Sequence, residues 1–304
     1  MARYLEQAKI PDLDLGEKAN AFREEIREWL AANWDGQFSE ADMKRHLNER
    51  LASQPFSRKL AARGWLGVSW PKEWGGQERS AFEQLVFEEE TAYAEAPIGW
   101  HLASVNMMGP TIMKHGSPEM RQRLLPAILK GDVCFCIGYS EPENGSDLAG
   151  LKTRAIRDGD GWVIRGQKLY TSTGSYANYC WIAARTDPDA KPSHAGISIF
   201  IVPMDSPGLT LQPLIGLNEH RSNVVFWDDV RVPDSALVGE VNGGWKVITD
   251  ALAFERIALA SVAARGRAYF DKLVEHVRHA ERRGKPLRED TLIRDRLATL
   301  AGEI

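Results

Sequence analysis

The chain is short of sulfur, of long apolar runs and of clustered positive charge, and each shortage removes a class of protein. Cysteine occurs three times in 304 residues, as Cys134, Cys136 and Cys180. So sparse and odd a set makes no disulfide framework and fits a reducing compartment, so a soluble, cytoplasmic protein is expected. Cys134 and Cys136 alternate in an apolar run and would face one side of a strand. No His/Cys cluster lies near them, so two buried strand thiols are expected rather than a metal site. No segment approaches the roughly 18 uninterrupted apolar residues of a membrane helix, and the polar stretch from Met1 to Lys18 has no apolar signal core. The formal net charge is −4 and no Lys/Arg-rich stripe stands out, so nucleic acid has no electrostatic footprint here. Neither G-x-G-x-x-G nor a Walker A motif occurs, which leaves no sign of a Rossmann or P-loop nucleotide site.

What remains is ordinary globular composition, 43% hydrophobic and 26% charged, enough for two or three structural units. The first third reads as helix. Phe22, Ile26, Trp29 and Leu30 recur along one face of an amphipathic helix. A second helix carries Phe56, Leu60 and Ala61 and should end at Gly64. From Gly64 to Gly76 the density of Gly and Trp means loop. Ser80 with Glu83 forms a capping box that opens the next helix, and Ser117-Pro118 opens another, running to about Gly131.

The period then changes. Val133–Tyr139, Trp162–Ile164, Tyr179–Ala184, Ile197–Val202 and Val224–Trp227 are short β-branched or aromatic runs, with a hairpin turn signal at Asp158-Gly-Asp-Gly161. No helical pattern separates them, so an antiparallel β-domain is expected rather than βαβ units. Helix returns after Gly243-Gly244, from Trp245 to about Arg283, with Ile248, Leu252, Leu259, Val262, Phe270, Leu273 and Val277 at apolar positions. Gly284-Lys-Pro286 interrupts it, and Leu292, Ile293, Leu297, Leu300 and Ile304 form a last helix face. An apolar face needs cover. Two such helices make little core alone, so partner helices from another chain or from a longer form are expected to cover them. The class is α+β in three parts: helices over 1–132, a β-domain over 133–240 and a partial C-terminal helical domain over 241–304.

The chemistry concentrates between Cys136 and Thr153, where a strand runs into the turn Ser140-Glu-Pro-Glu-Asn-Gly-Ser-Asp147. Backbone N–H groups and the Ser140 and Ser146 hydroxyls there suit an electron-rich ring edge or a phosphate. On local chemistry alone a plain hairpin turn, with Ser and Asp bonding their own backbone, is the commoner reading. Three further motifs follow: Gly166-Gln-Lys-Leu-Tyr-Thr-Ser-Thr-Gly174, Val225-Phe-Trp-Asp-Asp-Val-Arg-Val-Pro233, and Val238-Gly-Glu240 with Gly243-Gly-Trp245.

In that order and spacing, together with the Gly64–Gly76 loop, these motifs resemble the acyl-CoA dehydrogenase family over essentially the whole chain. The resemblance implies FAD as cofactor and an N-terminal helical, middle β and C-terminal helical layout. It places Ile137, Tyr139, Ser140, Gly145 and Ser146 along the flavin, with backbone groups near Tyr139 and the Ser140 hydroxyl on the isoalloxazine edge. Ser146 would also meet the thioester end of the substrate. Tyr170 stands where the family often has a Trp packed on the flavin, Thr171 and Ser172 follow it, and Ser172 would bond near N5. The base for the α-proton should be a carboxylate whose pKa burial raises. Glu255, in Leu252-Ala-Phe-Glu-Arg256, resembles the base of the family branch that carries it on this helix. Arg256 would orient the acyl-CoA or balance charge. The alternative is that Glu255 pairs with Arg256 or lies on a wet helix face.

Two departures from the family stand out. Its later helices have no counterpart within 304 residues, as in a C-terminally truncated member. Arg283-Gly-Lys-Pro-Leu-Arg-Glu-Asp290 replaces a common Arg/Gln-x-Phe-Gly segment and resembles bacterial branches that include enzymes for bulky, ring-bearing acyl groups. The expected activity is α,β-dehydrogenation of an acyl-CoA in lipid metabolism, of the fatty acid β-oxidation type. Electrons would pass to an electron-transfer flavoprotein, and a homo- or hetero-oligomer is expected. The alternatives are a non-catalytic or truncated partner subunit of a heteromeric enzyme, and a related flavin oxidase or monooxygenase.

Overall fold

The structure, a computed structural model, describes residues 13–255 and 260–304, apart from the side chains of Glu255 and Ala260. Helix α1 (Glu17–Asn33) buries Ala19, Phe22, Ile26 and Leu30, the stripe that a 3.6-residue period predicts, and leaves Trp29 half-buried. Two single-turn helices follow, α2 (Glu40–Met43) and α3 (Leu47–Arg50), then α4 (Gln54–Ala62), which ends at Gly64 in the left-handed conformation that glycine adopts without strain. Helix α5 (Ala81–Tyr93) opens on the predicted capping box: the Ser80 side chain accepts from the Glu83 N–H and the Glu83 carboxylate from the Ser80 N–H.

A π-helical turn (Ser104–Met108) leads into α6 (Gly109–His115), and Ser117 caps α7 (Pro118–Leu129). The strands are β1 (Phe135–Gly138), β2 (Arg154–Asp158), β3 (Gly161–Lys168), β4 (Tyr179–Arg185), β5 (Ile197–Pro203), β6 (Leu209–Ile215), β7 (Arg221–Pro233) and β8 (Leu237–Val238). Helix α8 (Gly244–Glu255) follows, then α9 (Ala260–His279), a small hairpin β9 (Glu281–Arg282) and β10 (Lys285–Pro286), and α10 (Thr291–Glu303).

These elements form two compact units. The first gathers the described residues of 13–37, 80–96 and 260–304, that is α1, α5, α9, the hairpin and α10. Phe270, Val274, Val277 and Leu297 make a small core in it, with Leu287 and Ile293 packed against them. Arg27 holds Glu90 at 2.8 Å and Arg23 holds Glu89 at 3.1 Å, joining α1 to α5. The hairpin turns on Arg283 and Gly284, both at positive φ, as a tight two-residue connection demands. Val262, Leu273, Leu292, Leu300 and Ile304, all expected on apolar faces, are exposed in the structure.

The second unit gathers 38–79 and 97–255: the short helices α2 to α4, then α6 to α8, and the β-sheet. The sheet runs β6-β7-β3-β2-β4-β5-β8, with β1 also on β4. Most pairings are antiparallel, as expected, but β1 and β2 both run parallel to β4. The sheet is therefore mixed. The reason is local: β1 pairs with Tyr179–Ile182, β2 begins opposite Arg185, and the chain between them loops out and resumes along the same neighbour.

The sheet core is Trp162, Ile164, Ile182, Phe200, Val225 and Trp227, with Cys136 and Cys180 opposite one another in it. The three thiols are free and buried, and burial pushes Cys134 up to about 12. The Gly/Trp loop is not an exposed coil. Trp65 and Trp70 are buried, the Trp70 indole N–H donates to the Val105 carbonyl at 3.1 Å, and Gly109 lies flat against the Trp70 ring.

His101, just before the π-helical turn, is 2% exposed. Its Nδ1 lies 2.7 Å from the Ser57 hydroxyl, while Nε2 meets no partner among the described residues. Burial pushes its pKa down to about 3. No described helix is long and apolar enough to cross a membrane.

Candidate functional site

The turn between β1 and β2 folds on itself before it presents anything outward. Glu141 N–H donates to the Asn144 carbonyl at 2.8 Å and Asn144 N–H returns the bond at 3.2 Å, closing a tight turn after which Gly145 and Ser146 follow in exposed positions. A methyl group built on Gly145 meets nothing within 4 Å, so open space adjoins this residue. Asn144 is buried, yet its Nδ2 has no partner among the described residues. Ile137, Tyr139 and Ser140 are half-buried, and the Tyr139 hydroxyl accepts from the Trp181 indole at 3.0 Å. The Ser140 and Ser146 hydroxyls bond none of the described residues. The plain-hairpin reading required those side chains to satisfy the local backbone, and they do not.

The second segment lies beside the first. Leu169, directly after β3, donates its N–H to the Ser140 carbonyl at 2.8 Å. Tyr170 follows with φ +60 and a side chain that leaves the residue 62% exposed. Positive φ is costly for a bulky L-residue and persists only where surrounding contacts hold it. The clamp is visible: Thr171 N–H donates to the Asn223 carbonyl at 3.0 Å, and Asn223 Nδ2 returns a bond to the Thr171 carbonyl at 2.9 Å. Asn48 Nδ2 bonds the Ser172 carbonyl at 2.9 Å. Thr171 is 1% exposed, and its hydroxyl has no partner among the described residues. Ser172 is exposed, with its hydroxyl 3.3 Å from the Tyr170 carbonyl.

A buried hydroxyl without a partner costs about 1–3 kcal/mol, so the Thr171 hydroxyl is a donor left for a partner outside the described residues. An exposed, rigidly held aromatic next to it offers a face for a flat ring. The residues present therefore suit a large heteroaromatic cofactor such as a flavin.

Both segments rest on a pair that the motif reading passed over. Lys168 is wholly buried at the end of β3; its Nζ donates to the Glu141 carboxylate at 2.8 Å and to the Tyr139 carbonyl at 3.0 Å. Glu141 also accepts the backbone N–H groups of Lys152 at 2.6 Å and Thr153 at 2.9 Å. Burial alone would raise its pKa, but the Lys168 charge and these donors outweigh burial and hold the carboxyl below its usual range. Burial lowers the Lys168 pKa, and Glu141 opposes that. The signal was available in strand parity. Trp162 and Ile164 point inward in β3, and Lys168 shares their parity.

Helix α8 is seated by its start. Gly244 lies against the backbone of Ile197 and Ser198, where a methyl group would come within 2.7 Å of the Ile197 carbonyl oxygen, so the helix needs glycine there. Asn242 N–H donates to the Ser198 hydroxyl at 2.8 Å, and Val247, Ile248 and Ala251 are buried. The helix ends at Glu255; that side chain, and Arg256, lie outside the described residues. Asp250 is the other acid on this helix, and it is engaged. It accepts from Lys114 at 2.9 Å and meets His115 Nε2 at 2.6 Å, and the Lys114 and His115 bonds hold its carboxyl below the usual range.

Comparison with known proteins shows the family. Family models for the N-terminal, middle and C-terminal domains of acyl-CoA dehydrogenases match residues 16–132, 136–230 and 242–304. The chain belongs to the acyl-CoA dehydrogenase family, whose members are FAD-dependent oxidoreductases. It is 46% identical over 202 residues to acyl-CoA dehydrogenase FadE26 of Mycobacterium tuberculosis, a match over 66% of this chain and 50% of that protein. The chain thus spans about half the length of that relative, and 55% of the similarly matched FadE29. It is 37% identical to acyl-CoA dehydrogenase IpdE1 of Mycolicibacterium smegmatis, over 91% of this chain and 73% of IpdE1.

Among solved structures, the Tcur3481–Tcur3483 steroid ACAD matches with a TM-score of 0.82 and 40% identity, over 94% of this chain and 73% of that one. The ChsE4–ChsE5 complex of Mycobacterium tuberculosis matches with a TM-score of 0.83 and 36% identity, over 96% and 74%.

Proposed function

We propose that this chain is the flavin- and substrate-binding part of an enzyme that removes two hydrogens from the α and β carbons of a bulky acyl-CoA thioester. The observation that carries the reading is the junction of the Tyr139–Ser146 turn with the Tyr170–Ser172 segment, where an exposed aromatic face adjoins the orphan Thr171 hydroxyl. Steroid substrates enter through likeness to a protein described as a steroid ACAD. In this reading 1–132, 133–240 and 241–304 act as the three parts of the family layout.

FAD, when bound, supplies the acceptor for the hydride that leaves Cβ. The chain supplies the rest. Glu255 takes the α-proton onto its carboxylate, and Arg256 balances that charge. Asp250 is not an alternative base, because Lys114 and His115 already occupy its oxygens. Backbone groups near Tyr139, with Ile137, Ser140 and Gly145, hold the polar edge of the cofactor. Tyr170 packs on its ring, Thr171 and Ser172 donate near its centre, and Ser146 meets the phosphate region and the thioester end. Donors at the thioester oxygen matter most as negative charge develops there. An electron-transfer flavoprotein is the proposed acceptor, and the assembly is oligomeric.

A second reading, a partner subunit of a heteromeric dehydrogenase, draws on likeness to the ChsE4–ChsE5 complex. One experiment separates the two. The purified chain is loaded with FAD and incubated with steroid-side-chain and straight-chain acyl-CoAs and an artificial electron acceptor. The first reading predicts a product lighter by two hydrogen atoms. No product from the chain alone, with product restored by a second subunit, supports the partner reading.

A further inference from the structure

Lys168 and Glu141 form the most deeply buried ion pair among the described residues, and the dehydrogenation outlined above assigns neither a step. Burying two charges is expensive, and a well-packed apolar pair would often serve a core as well. The geometry shows what the charges achieve instead. Lys168 Nζ donates to the Tyr139 carbonyl, and that carbonyl shares a peptide unit with the Ser140 N–H. A cation on the oxygen draws electron density toward it and makes the N–H at the other end of the unit a stronger donor.

The same strand end continues into Leu169, whose N–H bonds the Ser140 carbonyl, and then into Tyr170. One lysine thus fixes the Ser140 backbone and ties it to the segment that carries the exposed aromatic. Glu141 favours the charged amine against burial and is itself held by the Lys152 and Thr153 amides.

We propose that Lys168 is a positioning residue that fixes and polarises the Tyr139–Ser140 peptide toward the electron-rich edge of the flavin, favouring the two-electron-reduced form over the oxidised one. The added electrons place more negative charge on that edge, so a stronger donor helps the reduced form more. The inference rests on the turn being a flavin contact, as in the proposed function.

The test compares the full wild-type chain with Lys168→Met/Glu141→Gln, which removes both charges and so leaves neither one stranded. FAD affinity is read by flavin fluorescence, midpoint potential by reductive titration, and backbone order by amide hydrogen exchange without FAD. The double variant should bind FAD about tenfold more weakly. The reduced form should lose roughly a further tenfold, which lowers the two-electron potential by about 30 mV. Exchange should quicken over 139–153 and at Leu169 while the melting temperature stays near wild type. Glu141→Gln alone, the milder change, removes the counter-ion. Burial then favours the neutral amine unopposed by Glu141, and the potential should fall in the same direction, which keeps the test open if the double variant folds poorly. A potential unchanged in both variants, even with faster exchange, reduces the pair to a structural role and overturns the inference alone. A wild-type chain that takes up no FAD overturns the flavin reading and this inference with it.

Discussion

His101 should make this protein lose stability between pH 7 and pH 5. Its imidazole is buried, bonds only Ser57 among the described residues, and is pushed down to about 3 by burial. In the unfolded chain a histidine titrates near 6.5. Because the folded pKa lies below the unfolded one, the contribution is fully present above about pH 6.5 and is lost as pH falls toward 3. At pH 5 the unfolded state has gained its proton and the folded state has not. The gap between pH 5 and the unfolded pKa is about 1.5 units, and at about 1.4 kcal/mol per unit this costs roughly 2 kcal/mol between pH 7 and pH 5. Urea unfolding at pH 7, 6 and 5 measures it, with His101→Asn as reference because Asn can still meet the Ser57 hydroxyl. The variant starts less stable, from lost packing, but should lack this part of the pH slope. Groups that titrate in both proteins cancel in the comparison. If wild type and His101→Asn lose the same stability between pH 7 and pH 5, the buried-neutral account of His101 is wrong.

Further outcomes follow from the same contacts. Glu255→Gln keeps size and hydrogen bonding but removes the basic lone pair, so FAD and acyl-CoA binding should persist while flavin reduction slows by about 10²–10⁴ in a stopped-flow measurement; reduction at near the wild-type rate would place the base elsewhere. Tyr170→Ala/Ser172→Ala removes the aromatic face and an adjacent donor, and its FAD dissociation constant should rise at least about tenfold, equivalent to losing one net hydrogen bond; an unchanged constant would move the flavin off this segment. Gly109→Ala drives a methyl group to 2.0 Å from the Trp70 ring and should destabilise by about 1–3 kcal/mol or more in chemical denaturation.

Much of this fold was legible because its elements carry local signals. The Ser80/Glu83 box, the Ser117 cap, the Gly64 terminator and the turn at Gly159 are chemical punctuation, and each appears where the residues call for it. Strands β3, β4 and β5 are apolar runs that the core demands. The missed strands lack that demand. Strand β6 is largely exposed and contains Pro213, and β2 carries Arg154, Arg157 and Asp158 on exposed positions. Strand β7 extends beyond the Val224–Trp227 apolar run, because Asp228-Asp229 breaks the hydrophobic pattern without ending the strand. Asp229 takes φ +53 beside a register shift against β3, and the strand continues to Pro233. The parallel pairing of β1 depends on a neighbour more than 40 residues away, which no local pattern reveals. At the candidate site, the order of motifs pointed to both turns. Their joining through Leu169 and Lys168 became visible only once the strands were paired.

The central claim is that the two joined segments hold a flavin that an acyl-CoA reduces. Anaerobic titration of the FAD-loaded chain with steroid-side-chain acyl-CoA, followed by flavin absorbance, tests it most directly. The account predicts bleaching of the oxidised flavin band that saturates with substrate and is absent in Glu255→Gln. A chain that holds FAD but shows no bleaching with any acyl-CoA, alone or with a partner subunit, contradicts it.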